Sequence, residues 1–90
     1  MKQINLKIYG RVQGVNFRYF IFERAKEIGL TGWVKNEDDG SVLILAEGSE
    51  ESLKKLIEYC QSGPQFATID RVEVKWKKTT SGFDDFVIKY

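Results

Sequence analysis

Residues 10–18 read Gly10-Arg11-Val12-Gln13-Gly14-Val15-Asn16-Phe17-Arg18. This stretch decides the fold, because it lies where a strand pattern ends and a helix pattern begins. Residues 3–9 alternate apolar and polar side chains, which predicts a strand with one buried face. Residues 17–28 carry apolar side chains at helical spacing, which predicts an amphipathic helix. The chain therefore begins with a strand and a helix that are joined by a short turn between two glycines.

This turn has the composition of an anion-binding site. Gly10 and Gly14 allow unusual backbone dihedrals and a close approach by a ligand. The first N–H groups of a helix lack internal partners and lie at the positive end of its dipole. The guanidinium of Arg18 would add a planar pair of donors for two phosphate oxygens. The same residues also fit a tight strand-to-helix connection with a solvated Arg18, and both interpretations are open at this point.

Composition predicts one small domain, spanning residues 1–90, and narrows the classes of partner. Hydrophobic residues make up 42% of the 90 residues, which is enough for a folded core. The 14 Lys and Arg residues nearly balance the 13 Asp and Glu residues, giving a net charge of +1. This balance argues against a nucleic acid or a membrane as the partner. Any functional positive charge must then be local, as at Arg11, Arg18 and Lys35.

The residue types that the chain lacks narrow the chemistry further. There is no histidine and one cysteine, Cys60, which excludes a Ser-His-Asp or Cys-His enzyme and a zinc site of the usual type. Cys60 cannot form a disulfide within the chain, and we interpret it as a small buried side chain on the second helix. We expect a reducing cytoplasm as the location, because neither a secretory signal nor a membrane-length apolar run is present.

The rest of the pattern predicts a layered α+β fold. The predicted elements are a strand at 31–35, a hairpin loop at 36–40, a strand at 41–47, a helix from Ser49 to just before Gly63, a strand at 69–77, a loop at 79–82 and a strand at 86–90. The order β-α-β-β-α-β plus a short terminal strand predicts a ferredoxin-like sandwich, in which both helices cover one face of an antiparallel sheet. The first and third strands should lie inside the sheet. The third is apolar on both faces, which predicts that it is covered on both sides.

Two blocks of the sequence resemble the acylphosphatase family. Residues 10–18 match every fixed position of its signature, Gly-x-Val-Gln-Gly-Val-x-Phe-Arg, and leave Asn16 at an open position. Residues 32–42 resemble the second motif of the family, and the similarity continues to residues 86–88. The resemblance implies an enzyme that hydrolyses the carboxyl–phosphate bond of small acyl phosphates, such as acetyl, carbamoyl or glycerate phosphates, to a carboxylate and inorganic phosphate.

The resemblance also implies roles for individual residues. Arg18 resembles the phosphate-binding arginine of the family, and Asn36 resembles the asparagine that positions the attacking water. Backbone amides of the turn would bind the phosphoryl oxygens, namely those of Gly14, Val15, Asn16, Phe17 and Arg18. We expect no metal and no other cofactor, a monomeric protein, and inorganic phosphate as the product or as a competitor. On its own residues, Asn36 also fits an ordinary turn position ahead of a glycine-containing loop.

Two rival functions fit parts of the same pattern. The first is a non-catalytic module that binds phosphate or carbamoyl phosphate within a larger assembly, and the presence of Asn36 speaks against it. The second is a domain that binds single-stranded RNA, because such domains share this element order and present aromatic rings on the open sheet face. Tyr9 is the one ring that the first strand offers, and the third strand carries Leu43 and Leu45 where stacking rings are needed.

Overall fold

The computed structural model describes residues 1–78 and 82–90. Within these residues the elements follow the predicted order: β1 (Lys2–Arg11), α1 (Phe17–Glu27), β2 (Thr31–Asn36), β3 (Val42–Gly48), α2 (Glu50–Ser62), β4 (Thr68–Lys78) and β5 (Phe86–Lys89). Apart from Gly82, the loop predicted at residues 79–82 lies outside the described residues. In residues 1–78 and 82–90, neither helix has the length and apolar character of a membrane span.

The described strands form one sheet in the order β4-β1-β3-β2-β5, with β1 and β3 inside as predicted. β1 pairs antiparallel with β3 and β4, and β2 pairs antiparallel with β3. β5 adds to the far edge and runs parallel to β2, so the complete sheet is mixed. The ferredoxin-like architecture is confirmed. Because β1 and β2 both run antiparallel to β3, their carboxyl ends lie at the same end of the sheet.

One apolar cluster fills the space between the sheet and the two helices. Alternate strand residues and the buried helix stripes contribute to it, including Ile4, Leu6, Ile8, Ile21, Val34, Ile44, Leu53, Leu56 and Phe86. Removal of this apolar area from water is the dominant stabilising contribution to such a fold. Cys60 lies within the cluster as predicted, and burial raises the pKa of its thiol.

The prediction that the third strand is covered on both sides is wrong. Val42, Ile44 and Ala46 are buried beneath the helices, whereas Leu43 and Leu45 on the opposite face are half-buried. Both helices pack on one face, because a sheet of this size offers a single common core for two amphipathic helices. The central position of β3, between two neighbouring strands, accounts for the partial burial of the opposite face.

A bulge in the β1–β4 ladder shapes the end of the sheet that carries the turn at residues 12–16. The register shifts between Tyr9 and Gly10, which carries Gly10 to a position opposite Ile69. Gly10 has a φ of 133°, and a Cβ there would overlap the backbone carbonyl of Thr68. Gly10 therefore belongs to β1, and its lack of a side chain allows the backbone of β4 to approach closely. The sequence pattern had instead predicted that Gly10 begins the turn.

Candidate active site

The turn between β1 and α1 presents the N-terminus of α1 without a side-chain cap. Gly14 has a φ of 74°, and the N-cap residue Asn16 is left-handed, with φ 66° and ψ 21°. Asn16 is the one non-glycine residue with positive φ in residues 1–78 and 82–90, and asparagine tolerates this conformation better than most residues. Its side chain caps no N–H group among the described residues. The first amides of α1 are thus left available for an anion.

Arg18 lies in the first turn of α1 and is held by the last strand. Its Nη1 donates a hydrogen bond to the carbonyl oxygen of Lys89 at 3.2 Å. Its guanidinium carbon lies 4.8 Å from the centre of the Tyr90 ring. The hydrogen bond to Lys89 orients the Arg18 side chain. Because a guanidinium has five N–H donors, the others remain for a ligand. The sequence does not predict that β5 and Tyr90 hold Arg18, because this contact depends on β5 pairing with β2.

Arg18 and Asn36 line one cavity of about 390 Å³. Of the five residues whose amides were predicted to bind phosphate, four line this cavity, namely Gly14, Asn16, Phe17 and Arg18. Val15 lines a neighbouring cavity instead. The structure thus brings the two predicted catalytic side chains to one space, together with most of the predicted phosphate-binding turn.

Asn36 ends β2, and its prediction as the first residue of the hairpin loop is wrong. It pairs with Val42 of β3, so the loop begins one residue later. The ladder extends to Asn36 because pairing with β3 satisfies its backbone, which outweighs the local turn preference of an asparagine. Its side-chain oxygen Oδ1 is buried and has no hydrogen-bond partner among the described residues. A buried acceptor without a partner, on a residue that lines a cavity, is suited to a hydrogen bond from water.

Gln13 connects the turn to the β2–β3 hairpin. Its Nε2 donates hydrogen bonds to the carbonyl oxygens of Glu37 at 2.7 Å and Ser41 at 2.9 Å. Gln13 therefore braces the turn against the hairpin. These bonds fix the turn relative to the end of β2, where Asn36 lies.

The hairpin loop is itself stabilised by Asp39. Its Oδ1 accepts hydrogen bonds from the Ser41 backbone N–H at 3.0 Å and from the Ser41 hydroxyl at 2.5 Å. The other carboxylate oxygen lies 3.0 Å from Nζ of Lys7. The Ser41 hydroxyl, followed by the Ser41 amide and Lys7, lowers the pKa of Asp39 to about 2. Asp39, Ser41 and Gln13 thus form one continuous chain of hydrogen bonds between the hairpin and the turn.

Two other residues singled out by composition lie outside this cavity. Lys35 lies on the open sheet face, where its Nζ is 5.6 Å from the centre of the Trp33 ring and 3.8 Å from Glu37. Arg11 is exposed and lines the neighbouring cavity. In residues 1–78 and 82–90, no three carboxylate or thiol side chains are grouped in a way that could hold a metal ion.

Comparison with known proteins identifies relatives along the whole chain. The family model described as Acylphosphatase matches residues 4–88. An acylphosphatase of Bacillus licheniformis is 48% identical over 90 residues, covering all of both chains. The crystal structure of acylphosphatase from Bacillus subtilis matches with a TM-score of 0.96 and 42% identity, again over all of both chains. T. kodakarensis HypF matches with a TM-score of 0.85 and 36% identity, over all of this chain but 12% of HypF.

Proposed function

Because the chain belongs to the acylphosphatase family, we propose that it hydrolyses the carboxyl–phosphate bond of small acyl phosphates at the cavity between the β1–α1 turn and the end of β2. The observation that carries this proposal is that Arg18 and Asn36 line the same cavity beside the uncapped N-terminus of α1. This single cavity then contains both a binding site for the phosphate and a side chain that binds the attacking water.

The β1–α1 turn and Arg18 bind the phosphate. The amides from Gly14 to Arg18 donate to the phosphoryl oxygens, and the guanidinium of Arg18 adds a charged pair of donors. The first turn of α1 reads Phe17-Arg18-Tyr19-Phe20, so no carboxylate of this turn competes with the phosphate. These donors accelerate the reaction to the extent that they bind the transition state more tightly than the substrate.

Asn36 positions the attacking water. Its buried Oδ1, which has no partner among the described residues, accepts a hydrogen bond from the water. A carboxamide holds water without changing its own charge with pH. In phosphoryl transfer the attacking oxygen and the leaving oxygen lie in line with phosphorus, so the water must lie opposite the acyl oxygen.

The reaction needs no general acid, because the leaving group is a carboxylate that is stable as an anion. Water forms a bond to phosphorus while the bond from phosphorus to the acyl oxygen breaks. The carboxylate takes the bonding electron pair, and both protons of the water remain with the product as dihydrogen phosphate. A chain without histidine can therefore carry out this step, and we propose that it does so without a metal ion.

The second candidate is a non-catalytic module that binds phosphate or carbamoyl phosphate. The match to HypF supports this candidate, because it shows that a domain of this fold can form a small part, 12%, of a larger protein. Such a module would need Arg18 and the turn but would gain nothing from an oriented water at Asn36. We further propose that residues 1–90 act as one domain, as a monomer, in the cytoplasm.

One assay separates the two candidates. The loss of acetyl phosphate and of benzoyl phosphate is followed over time in the presence of EDTA, and inorganic phosphate is then added as a competitor. The enzyme cleaves both substrates in EDTA and is inhibited by phosphate. Binding of phosphate without cleavage would support the binding module, and cleavage that EDTA abolishes would refute metal-independent hydrolysis.

A further inference from the structure

A second cavity, of about 490 Å³, lies on the β1–α1 turn. It shares Gly14 and Asn16 with the first cavity, and its other lining residues are Arg11, Val15 and Phe66. Asn36 and Arg18 line the first cavity only. The two cavities are therefore neighbours across the same short segment of backbone, and each carries its own set of side chains.

Phe66 presents an aromatic ring to this second cavity rather than to the core. It lies in the connection between α2 and β4, in a turn that is closed by a hydrogen bond of 3.1 Å from the Ala67 N–H to the Pro64 carbonyl. Phe66 is 72% exposed, and it lies outside the apolar cluster. An exposed aromatic ring at a cavity offers apolar area that a ligand can cover.

Arg11 supplies a free cation at the same cavity. In the described part of the chain, its guanidinium makes no hydrogen bond, ion pair or ring contact. The other arginines are engaged: Arg18 with Lys89, Arg24 with Glu27 and Arg71 with Glu73. The β1–β4 register places Arg11 opposite Thr68, two residues beyond Phe66, so the cation and the ring lie at the same end of the sheet.

The geometry of in-line attack gives the second cavity a role in substrate binding. If Asn36 holds the water, the acyl oxygen must point away from Asn36. The second cavity adjoins the phosphate-binding turn at Gly14 and Asn16 and is not lined by Asn36, which meets this requirement. The acyl group then extends from the turn toward Phe66 and Arg11.

We propose that Arg11 and Phe66 form a subsite for the acyl group, and that this subsite selects acyl phosphates with an aromatic or extended apolar body and a second anionic group. This inference rests on the proposed function, because it assumes that the phosphoryl group occupies the first cavity. Phe66 covers the apolar body, and the guanidinium of Arg11 binds the distal anion. Acetyl phosphate has neither an aromatic body nor a second anionic group, so it reports on the first cavity alone.

The kinetic test compares acetyl, benzoyl and 4-carboxybenzoyl phosphate as substrates of the wild type, Arg11→Met, Phe66→Ala and the control Arg71→Met. A charge-assisted contact predicts that Arg11→Met lowers the kcat/KM ratio of 4-carboxybenzoyl to benzoyl phosphate about 10-fold. Phe66→Ala should lower the ratio of benzoyl to acetyl phosphate by roughly 3- to 10-fold, as the loss of a partial apolar contact implies. Arg71→Met removes an arginine that lines neither cavity and should leave both ratios unchanged.

A binding test keeps the subsite separate from the enzymatic activity. Calorimetric titration compares methylphosphonate with (4-carboxyphenyl)methylphosphonate, which cannot be hydrolysed at a carboxyl–phosphate bond. Tighter binding of the carboxyaryl ligand, lost in Arg11→Met, supports the subsite even if no substrate is turned over, in which case the enzymatic proposal alone fails. Turnover of acetyl phosphate with substrate ratios that neither variant changes overturns the subsite alone.

Discussion

The side-chain amide of Gln13 donates to the carbonyl oxygen of Ser41 at 2.9 Å, across the gap between the β1–α1 turn and the β2–β3 hairpin. A second bond from the same Nε2 reaches the Glu37 carbonyl at 2.7 Å. Glu37 follows Asn36 directly, so Gln13 fixes the turn relative to the residue that we assign to the attacking water. In the proposed mechanism, the relative position of the phosphate and the water thus depends on Gln13, which does not itself line the cavity.

Replacement of Gln13 by methionine should therefore lower kcat much more than it changes KM. Methionine keeps the length of the side chain but cannot donate to either carbonyl. We expect kcat to fall roughly 10- to 100-fold, because small displacements of reacting groups are costly. The free energy of unfolding should fall by about 1–3 kcal/mol with two hydrogen bonds lost. Gln61→Met, on the exposed side of α2, is the matched control. A kcat close to that of the wild type would refute the positioning role.

Arg18→Ala should nearly abolish turnover and weaken phosphate binding. Loss of one oxyanion donor costs about 3–4 kcal/mol in the transition state, or roughly 10²- to 10³-fold in rate, and this donor is charged. Arg18→Lys should fail as well, because an ammonium group cannot supply the planar pair of donors. Steady-state kinetics and phosphate titration measure both effects. Arg24→Lys on the same helix is the control, and wild-type rates in either Arg18 variant would remove Arg18 from the mechanism.

Asn36→Ala should lose rate while it keeps phosphate binding and a stability close to that of the wild type. The side-chain Oδ1 is buried and makes no hydrogen bond to the described part of the chain, so its removal breaks no hydrogen bond within the fold. Urea unfolding, phosphate titration and kcat provide the three readouts. A marked loss of stability would show that Asn36 serves the fold, and an unchanged kcat would show that it does not hold the water.

The fold was largely predictable because local signals and the tertiary structure agree. Alternation of Ile4, Leu6 and Ile8 on β1 predicted the buried face, and these three side chains are fully buried. The second helix was predicted to begin at Ser49, and the Ser49 hydroxyl caps it by accepting from the Ser52 N–H at 3.1 Å. Such periodicity and capping depend on neighbours along the chain, which a sequence displays directly.

Parts of the candidate site could not be predicted, since they depend on which strands become neighbours. The contact of Arg18 with the Lys89 carbonyl requires β5 to pair with β2. The strand position of Asn36 requires a ladder that extends to Val42, against its local preference for a turn. The left-handed conformation of Asn16 had one signal in the sequence, namely an asparagine directly before the start of a helix. The same signal also fits an ordinary N-cap residue, so it did not predict the conformation. Strand pairing decided the first two of these features.

The stability of the hairpin loop should depend on pH through Asp39. Hydrogen bonds from Ser41, above all from its hydroxyl, and the nearby Lys7 lower the pKa of Asp39 from 3.8 to about 2. A carboxyl group whose pKa is lower in the folded state stabilises the fold when it is ionised. This contribution is complete above pH 3.8 and is lost progressively as the pH falls toward about 2. Asp39→Asn keeps an acceptor oxygen but removes the charge.

We therefore expect the wild type to be more stable than Asp39→Asn at pH 5, and the difference to shrink steadily between about pH 4 and pH 2. Urea unfolding of both proteins at a series of pH values measures this difference. Asp38→Asn removes a charge from the neighbouring exposed position in the same loop, and it should not reproduce the effect. Because Ser41 also accepts from Gln13, the loss of activity on acidification should follow the same pH window. A difference between wild type and Asp39→Asn that stays constant from pH 5 to pH 2 would show that the Asp39 carboxylate does not stabilise this loop.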